Sequence, residues 1–322
     1  MIDFKYEVVK TMVCGKMVEV HWKPDPINTL DLINKGSIPI EMADGTKSYV
    51  DFRQLDHHNQ FIDNPAACQI ALQYYNDCKQ NGGSFIVNHI DLDCVATGAI
   101  LLGLIPRDQV DEFVKWAALD DIDPLNPILR QDPTPEMLKK IRIWKYMIGG
   151  PKNTGWAWIH GLTMLSDLFE NPNHWEKNII GLERKEAHRK VIAMEDYCNR
   201  IELDDKRAIF IGPSHVWGFD IQLGRLPDTN YNSVNGWRHH VVMSYVENTG
   251  KITIGCPNRT IAEHTFGKGG LSNIYSKLEK FKPTGWGGRI TVGGSGRGIR
   301  LSLDEAKDCF HYLVDHIMTD TA

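Results

Sequence analysis

Ser84-Phe85-Ile86-Val87-Asn88-His89-Ile90-Asp91-Leu92-Asp93-Cys94-Val95-Ala96-Thr97-Gly98-Ala99-Ile100-Leu101-Leu102-Gly103 is the stretch from which the fold is read. The apolar run that opens after Gly82-Gly83 has the length and residue types of a buried strand. Val95 to Leu104 is apolar nearly all round, which suits a helix packed on a sheet rather than a surface helix. Between strand and helix stand His89, Asp91 and Asp93. In an extended chain residues i, i+2 and i+4 project to one side, so these three metal-capable side chains are expected to converge at the strand's carboxyl end. Open α/β sheets keep their ligands there.

Moving toward the N-terminus, Pro65 to Lys79 carries Ala66, Ala67, Ile70, Ala71, Tyr74 and Tyr75 on one helical face. That helix would return the chain from an earlier segment to the same sheet. The earlier segment is Ser48 to Phe52, a short strand after the Asp44-Gly45 turn, leading into Asp56-His57-His58. The triplet reads either as a polar loop with two solvated histidines or as hard-metal ligands, since carboxylate and imidazole are what Mn²⁺ and related ions accept. Farther back, Glu7 to Val9 and Met17 to Trp22 read as short strands.

Toward the C-terminus, Pro106 ends the buried helix and Asp108 to Leu119 forms another, delivering Asp120-Asp121-Ile122-Asp123. Three carboxylates in four residues repel one another, and acid at a helix C-terminus opposes the helix dipole. Either solvent or a cation relieves that conflict. Met137 to Met147 reads as a helix, and Glu183 to Asp205 as a long solvated helix leading out of a first domain. His160 and Asp167 are weaker candidates, because a lone histidine near aromatics is more often simply hydrogen-bonded.

From Arg207 the texture changes to short strands and glycine turns: Ala208 to Ile211, Trp217 to Leu223, His239 to Val246, and Lys251 to Gly255 after the turn Asn248-Thr249-Gly250. A helix is expected over Ser272 to Lys280 and another over Glu305 to Met318, the latter announced by Ser302-Leu303-Asp304-Glu305. Between them lies Gly285-Trp286-Gly287-Gly288-Arg289-Ile290-Thr291-Val292-Gly293-Gly294-Ser295-Gly296-Arg297-Gly298. Bare N–H groups and guanidinium forks there favour phosphate or carboxylate. The competing reading is a tight β-turn region that needs glycine for positive φ.

Three of these features together resemble the DHH phosphoesterases with their DHHA1-type substrate domain. His89-Ile90-Asp91-Leu92-Asp93 is similar to the family's first metal motif, Ala117-Ala118-Leu119-Asp120-Asp121 to its second, and Gly287 to Ser295 to the glycine-rich motif of its second domain. The order departs from the family at one point: Asp56-His57-His58 precedes His89, where the family's Asp-His-His follows. That leaves a rearranged strand order, a coincidental triplet, or a divergent member with an incomplete metal set. Cys94 also stands where the family usually has glycine.

The resemblance implies an α/β fold with a mainly parallel sheet flanked by helices and a second, smaller mixed α/β domain. A metal-binding catalytic domain would cover residues 1–200 and a substrate-binding domain 205–322, with hydrolysis in the cleft between them. Two ions, Mn²⁺ or else Mg²⁺ or another divalent metal, would be held by His89, Asp91, Asp93, Asp120, Asp121, Asp56 and His57. His57, His58 and Asp93 would be catalytic; Gly288, Arg289, Gly293, Gly294, Ser295 and Arg297 would bind substrate. The implied reaction is hydrolysis of a phosphodiester, short oligonucleotide or nucleotide-like anion by metal-activated water.

Composition narrows the partners. A net charge of −5 argues against a protein that coats long nucleic acid. Seven scattered cysteines without a Cys-x-x-Cys pair argue against a cysteine zinc site or a disulfide framework and for a reducing compartment. With no signal segment or membrane-length apolar run, a cytoplasmic protein is expected. The oligomeric state stays open, a homodimer included. Nine tryptophans, among them Trp156, Trp158, Trp217 and Trp286, keep a ring-containing substrate with a non-phosphate bond in play. A non-catalytic ligand-binding protein with a degraded metal site is the remaining alternative.

Overall fold

The computed structural model describes residues 6–23, 26–41, 65–73, 82–124, 126–130, 134–148, 154–175, 178–196, 200–214, 222–226, 229–296 and 299–318. The chain is a mixed α/β protein with two sheets, and it divides into two compact units. Unit 1 is Met1–Pro124 with Ile128–Leu182, and unit 2 is Leu125–Pro127 with Glu183–Ala322.

Unit 1 begins with strands β1 (Glu7–Val13) and β2 (Lys16–Trp22), an antiparallel hairpin closed by Cys14 and Gly15. Both turn residues have positive φ, 47° and 77°, the backbone that matches a two-residue turn to the right-handed strand twist. Helix α1 (Pro26–Asn34) leads to the short strand β3 (Ile38–Pro39), helix α2 (Ala67–Gln73) follows, and β4 (Gly82–Val87) enters between β2 and β3, parallel to both. The sheet order is β1-β2-β4-β3. Phe85, Ile86 and Val87 are all buried, as expected where a parallel strand is covered on both faces.

Helix α3 (Leu92–Leu101) is buried along its whole length. It starts three residues before the Val95 expected from sequence. Asp91, extended at φ −134°, caps it by accepting the Cys94 N–H at 2.9 Å. The expected alternation therefore stops at Asp91, and Asp93 lies in the first helical turn. Helices α4 (Val110–Ile122), α5 (Glu136–Ile148), α6 (Gly155–Glu170) and α7 (Pro172–Trp175) complete the unit. Helix α6 comes close to α3 because Gly98 has no side chain: a Cβ there would stand 2.4 Å from the Trp158 ring. Trp158 also packs on Phe85 of β4, with ring centroids 5.5 Å apart.

Helix α8 (Asn178–Asp196) ends before the expected Asp205. Arg200–Leu203 instead form β5, because their backbone pairs with β6 (Ala208–Ile211) at the edge of the second sheet. That sheet runs β5-β6-β7-β8-β10-β9, with β7 (Val241–Val246), β8 (Lys251–Gly255), β9 (Gly287–Gly288) and β10 (Val292–Gly294). Here β6 and β7 pair in parallel, and the other described pairs of this sheet are antiparallel. Their side chains alternate between two clusters, Phe210 and Met243 on one face, Ile209, Ile211 and Val242 on the other. Helices α9 (Arg259–Phe266), α10 (Ser272–Phe281) and α11 (Leu303–Val314) follow. Ser302 and Glu305 form the complete capping box that the sequence announces for α11.

Candidate metal centre

The centre is built at the carboxyl end of β4. After Val87 the strand opens, Asn88 accepts a hydrogen bond on its side-chain oxygen from His89 Nδ1, and His89 Nε2 faces two carboxylates. Glu41 Oε2 lies 2.7 Å from Nε2 and Asp91 Oδ2 lies 3.1 Å from it. Both ring nitrogens thus face oxygen. A neutral imidazole has one N–H to give, so the arrangement calls for a proton or a cation at Nε2.

Glu41 arrives from β3, a strand carried one residue further by the Ile40 N–H donating to Ile86 O at 3.0 Å. Its backbone then turns into the left-handed region, φ 50°, a conformation unfavourable for a side-chain-bearing residue unless its surroundings hold it. Its side chain is fully buried. Cys94, in the first turn of α3, is buried as well. Ligand-capable atoms of Glu41, His89 and Cys94 all lie within 4.8 Å of one another.

Electrostatics follow from that burial. Desolvation pushes the Glu41 carboxyl well above its ordinary range, and the Asp91 charge adds to the rise. Burial disfavours the His89 imidazolium, yet Asp91 and Glu41 outweigh it and hold the ring up to about 10. Burial, then Glu41 and Asp91, raises the Cys94 thiol. A bound cation would invert each of these balances for the carboxylates and the thiol. The donor set of carboxylate, imidazole and thiol therefore fits a divalent metal ion.

The residues expected from sequence fall in different places. His89 and Asp91 meet at this centre. Asp93, 1% exposed, points its carboxylate at the N-terminus of α2, accepting from Ala67 N–H at 2.7 Å and Cys68 N–H at 2.8 Å. Its charge still reaches Glu41. Asp120 is bound by Lys145 of α5 through both oxygens, at 2.9 and 2.7 Å. That ammonium relieves the dipole conflict of an acidic helix end for Asp120 without a metal. The Asp121 charge reaches Cys68 of α2. Asp56, His57 and His58 lie outside the described residues, as does Arg297.

In unit 2 the glycine-rich stretch forms the β9–β10 hairpin. Gly288 sits at φ 145°, and a Cβ on it would stand 2.3 Å from Gly293 Cα. A Cβ on Gly294 would stand 2.1 Å from Ile252 O. Close strand approach therefore accounts for these glycines. Ser295 Oγ accepts from Ile252 N–H at 3.1 Å, and the Arg289 carbonyl accepts from Tyr275 Oη at 2.8 Å. The N–H groups of Thr284, Gly285 and Trp286 converge on Glu279 Oε2 at 3.2, 2.8 and 3.0 Å. The nest that the loop offers to an anion already holds a carboxylate of its own chain. Trp158 and Trp286 are buried, and Trp286 donates its indole N–H to Lys282 O at 2.7 Å, so neither presents an open face to a ring substrate.

The sequence alone does not mark Glu41 or Cys94 as members of this group. Cys94 is visible in the sequence as the residue that replaces the family's glycine. Glu41 leaves only a faint signal, an acid directly after the apolar Ile38-Pro39-Ile40.

No family model and no curated protein matches the chain. Among solved structures it is similar to a pGpG-specific phosphodiesterase, PggH, from Vibrio cholerae, at 8% sequence identity, with 82% of this chain and 95% of that chain covered and a TM-score of 0.39. The chemistry of the centre is read from its own residues, Glu41, His89 and Cys94. Among the described residues no helix is long and apolar enough to cross a membrane.

Proposed function

We propose that the chain is a metal-dependent hydrolase of small anionic substrates, in first place phosphodiesters, short oligonucleotides or nucleotide-like molecules. The observation that carries this reading is the convergence of Glu41, His89 and Cys94 beside the first turn of α3. Glu41, His89 and Cys94 would hold a divalent ion, which would supply Lewis acidity toward a substrate oxygen and a more acidic bound water. Asp91 orients the His89 ring, and Asp93 ties the start of α3 to α2. The N-terminal end of α3 favours negative charge on the substrate.

Further roles are part of the proposal. Asp56, His57 and His58 are assigned as additional ligands or proton carriers, and Asp121 as an outer carboxylate. The loop with Gly288, Arg289, Gly293, Gly294 and Ser295, together with Arg297, is assigned to binding the anionic group, for which guanidinium forks are suited.

A panel of phosphodiesters, dinucleotides and small ring amides, assayed with divalent ions restored after chelation, tests the reading. The expected result is metal-dependent cleavage of a phosphoester that His89→Ala abolishes. Cleavage of amides alone would assign a different bond. Metal binding without hydrolysis of any member would leave a ligand-binding protein.

A further inference from the structure

We propose that the ion held by Glu41, His89 and Cys94 is a thiophilic divalent ion, with zinc as the reference case, and that the Cys94 thiolate is one of its ligands. The inference rests on the metal centre described above but not on the reaction assigned to it. It replaces manganese at this position.

The donor set argues first. One carboxylate oxygen, one imidazole nitrogen and one sulfur lie within 4.8 Å of one another. Oxygen-rich sites suit Mn²⁺ and Mg²⁺, whereas a thiolate selects zinc and other borderline ions. Three protein ligands from three separate positions match the protein ligand count of catalytic zinc, whose fourth position is taken by water or substrate.

The surroundings of Cys94 argue second. It occupies the third position of α3, where the helix dipole favours a negative sulfur. Among the described residues the fully buried Trp158 indole N–H makes no hydrogen bond of ordinary geometry, and it stands within reach of the Cys94 side chain. Gly98 is what lets that indole in, through the close approach of α6.

The ligands on the other side are also prepared. His89 Nδ1 is engaged by Asn88 Oδ1, which leaves Nε2 directed at the carboxylates. An outer hydrogen bond of this kind fixes the ring and tautomer of a metal-ligating histidine. Glu41 is kept in a left-handed backbone conformation to reach the same point. A buried cysteine that merely filled the core would need none of these features.

The test uses the whole chain, stripped by chelation and reloaded from an equimolar mixture of Zn²⁺ and Mn²⁺. Zinc should be retained in preference, and zinc-edge X-ray absorption should show one sulfur neighbour at about 2.3 Å. Cobalt loading should give a thiolate-to-metal charge-transfer band that Cys94→Ser removes. Trp158→Phe should keep the sulfur neighbour and weaken zinc binding by about tenfold, as loss of an outer-sphere partner does.

A zinc shell of nitrogen and oxygen alone, or preferential retention of manganese, overturns the proposal. Two or more sulfur neighbours also overturn it, since this group contains one cysteine. The absorption measurement on the parent protein decides the matter even if Cys94→Ser does not fold. A sulfur-containing shell in a protein that cleaves nothing in the panel removes the hydrolase reading and leaves this one standing. Hydrolysis with a sulfur-free shell does the reverse.

Discussion

Removing the Asp93 carboxylate strips the buried N–H groups of Ala67 and Cys68 of their acceptor. Bonds from backbone N–H to a charged group, and donors left unsatisfied in the interior, set the scale of the loss. Asp93→Ala should therefore lower unfolding free energy by roughly 3 kcal/mol in denaturant titrations; a variant as stable as the parent would remove the anchoring role. Glu279 offers a pH test in unit 2. Hydrogen bonds from the N–H groups of Trp286, Thr284 and Gly285 hold its carboxyl below the ordinary glutamate range. A group whose folded pKa is depressed stabilises above its unfolded pKa and loses that contribution as pH falls through the folded one. Amide-exchange protection at Thr284 to Trp286 should accordingly decline on acidification below the glutamate range. In Glu279→Gln it should be weak at all pH values, and equal protection in both proteins would refute the assignment.

At the scale of elements, the α3–α6 contact governs the centre because it sets where Trp158 and Cys94 stand. A methyl group at position 98 would overlap the Trp158 ring, and Ile148, Trp144 and Val95 similarly crowd the Cβ position of Gly161. Overpacking a tight core costs about 1–3 kcal/mol. Gly98→Ala should lose that much stability and also bind zinc more weakly; retention of full metal affinity would disconnect helix spacing from the site. Helix α11 is a simpler case. Ser302 and Glu305 close a capping box, and Lys282 together with the Ser302 backbone holds Glu305 down to about 2. Ser302→Ala should cost about 1 kcal/mol, read from the thermal midpoint, with metal content unchanged.

For the whole molecule, two units with separate cores place the candidate metal group Glu41, His89 and Cys94 in unit 1 and the glycine-rich hairpin in unit 2. Phe210→Ala, in the core of unit 2, should cost about 3–5 kcal/mol yet leave the metal stoichiometry of the folded protein intact. Metal loss from protein that is still folded would contradict a centre confined to unit 1. The local chemistry of the chain was enough to determine much of this architecture. Apolar runs and glycine breaks marked β4, α3 and the β7–β8 hairpin, and Ser302 with Glu305 marked the start of α11, because these depend on neighbours a few residues away. That His89 and Asp91 stand together at the end of β4 was legible for the same reason. What only the tertiary structure decided was which side chains share a point. Parallel pairing of β3 with β4 brings Glu41 beside His89 across 48 positions of sequence, and an early helix start turns Asp93 toward α2. The close approach of α6 sets Trp158 against Cys94. No local pattern encodes these meetings, since each is fixed by strand register and helix packing between distant segments.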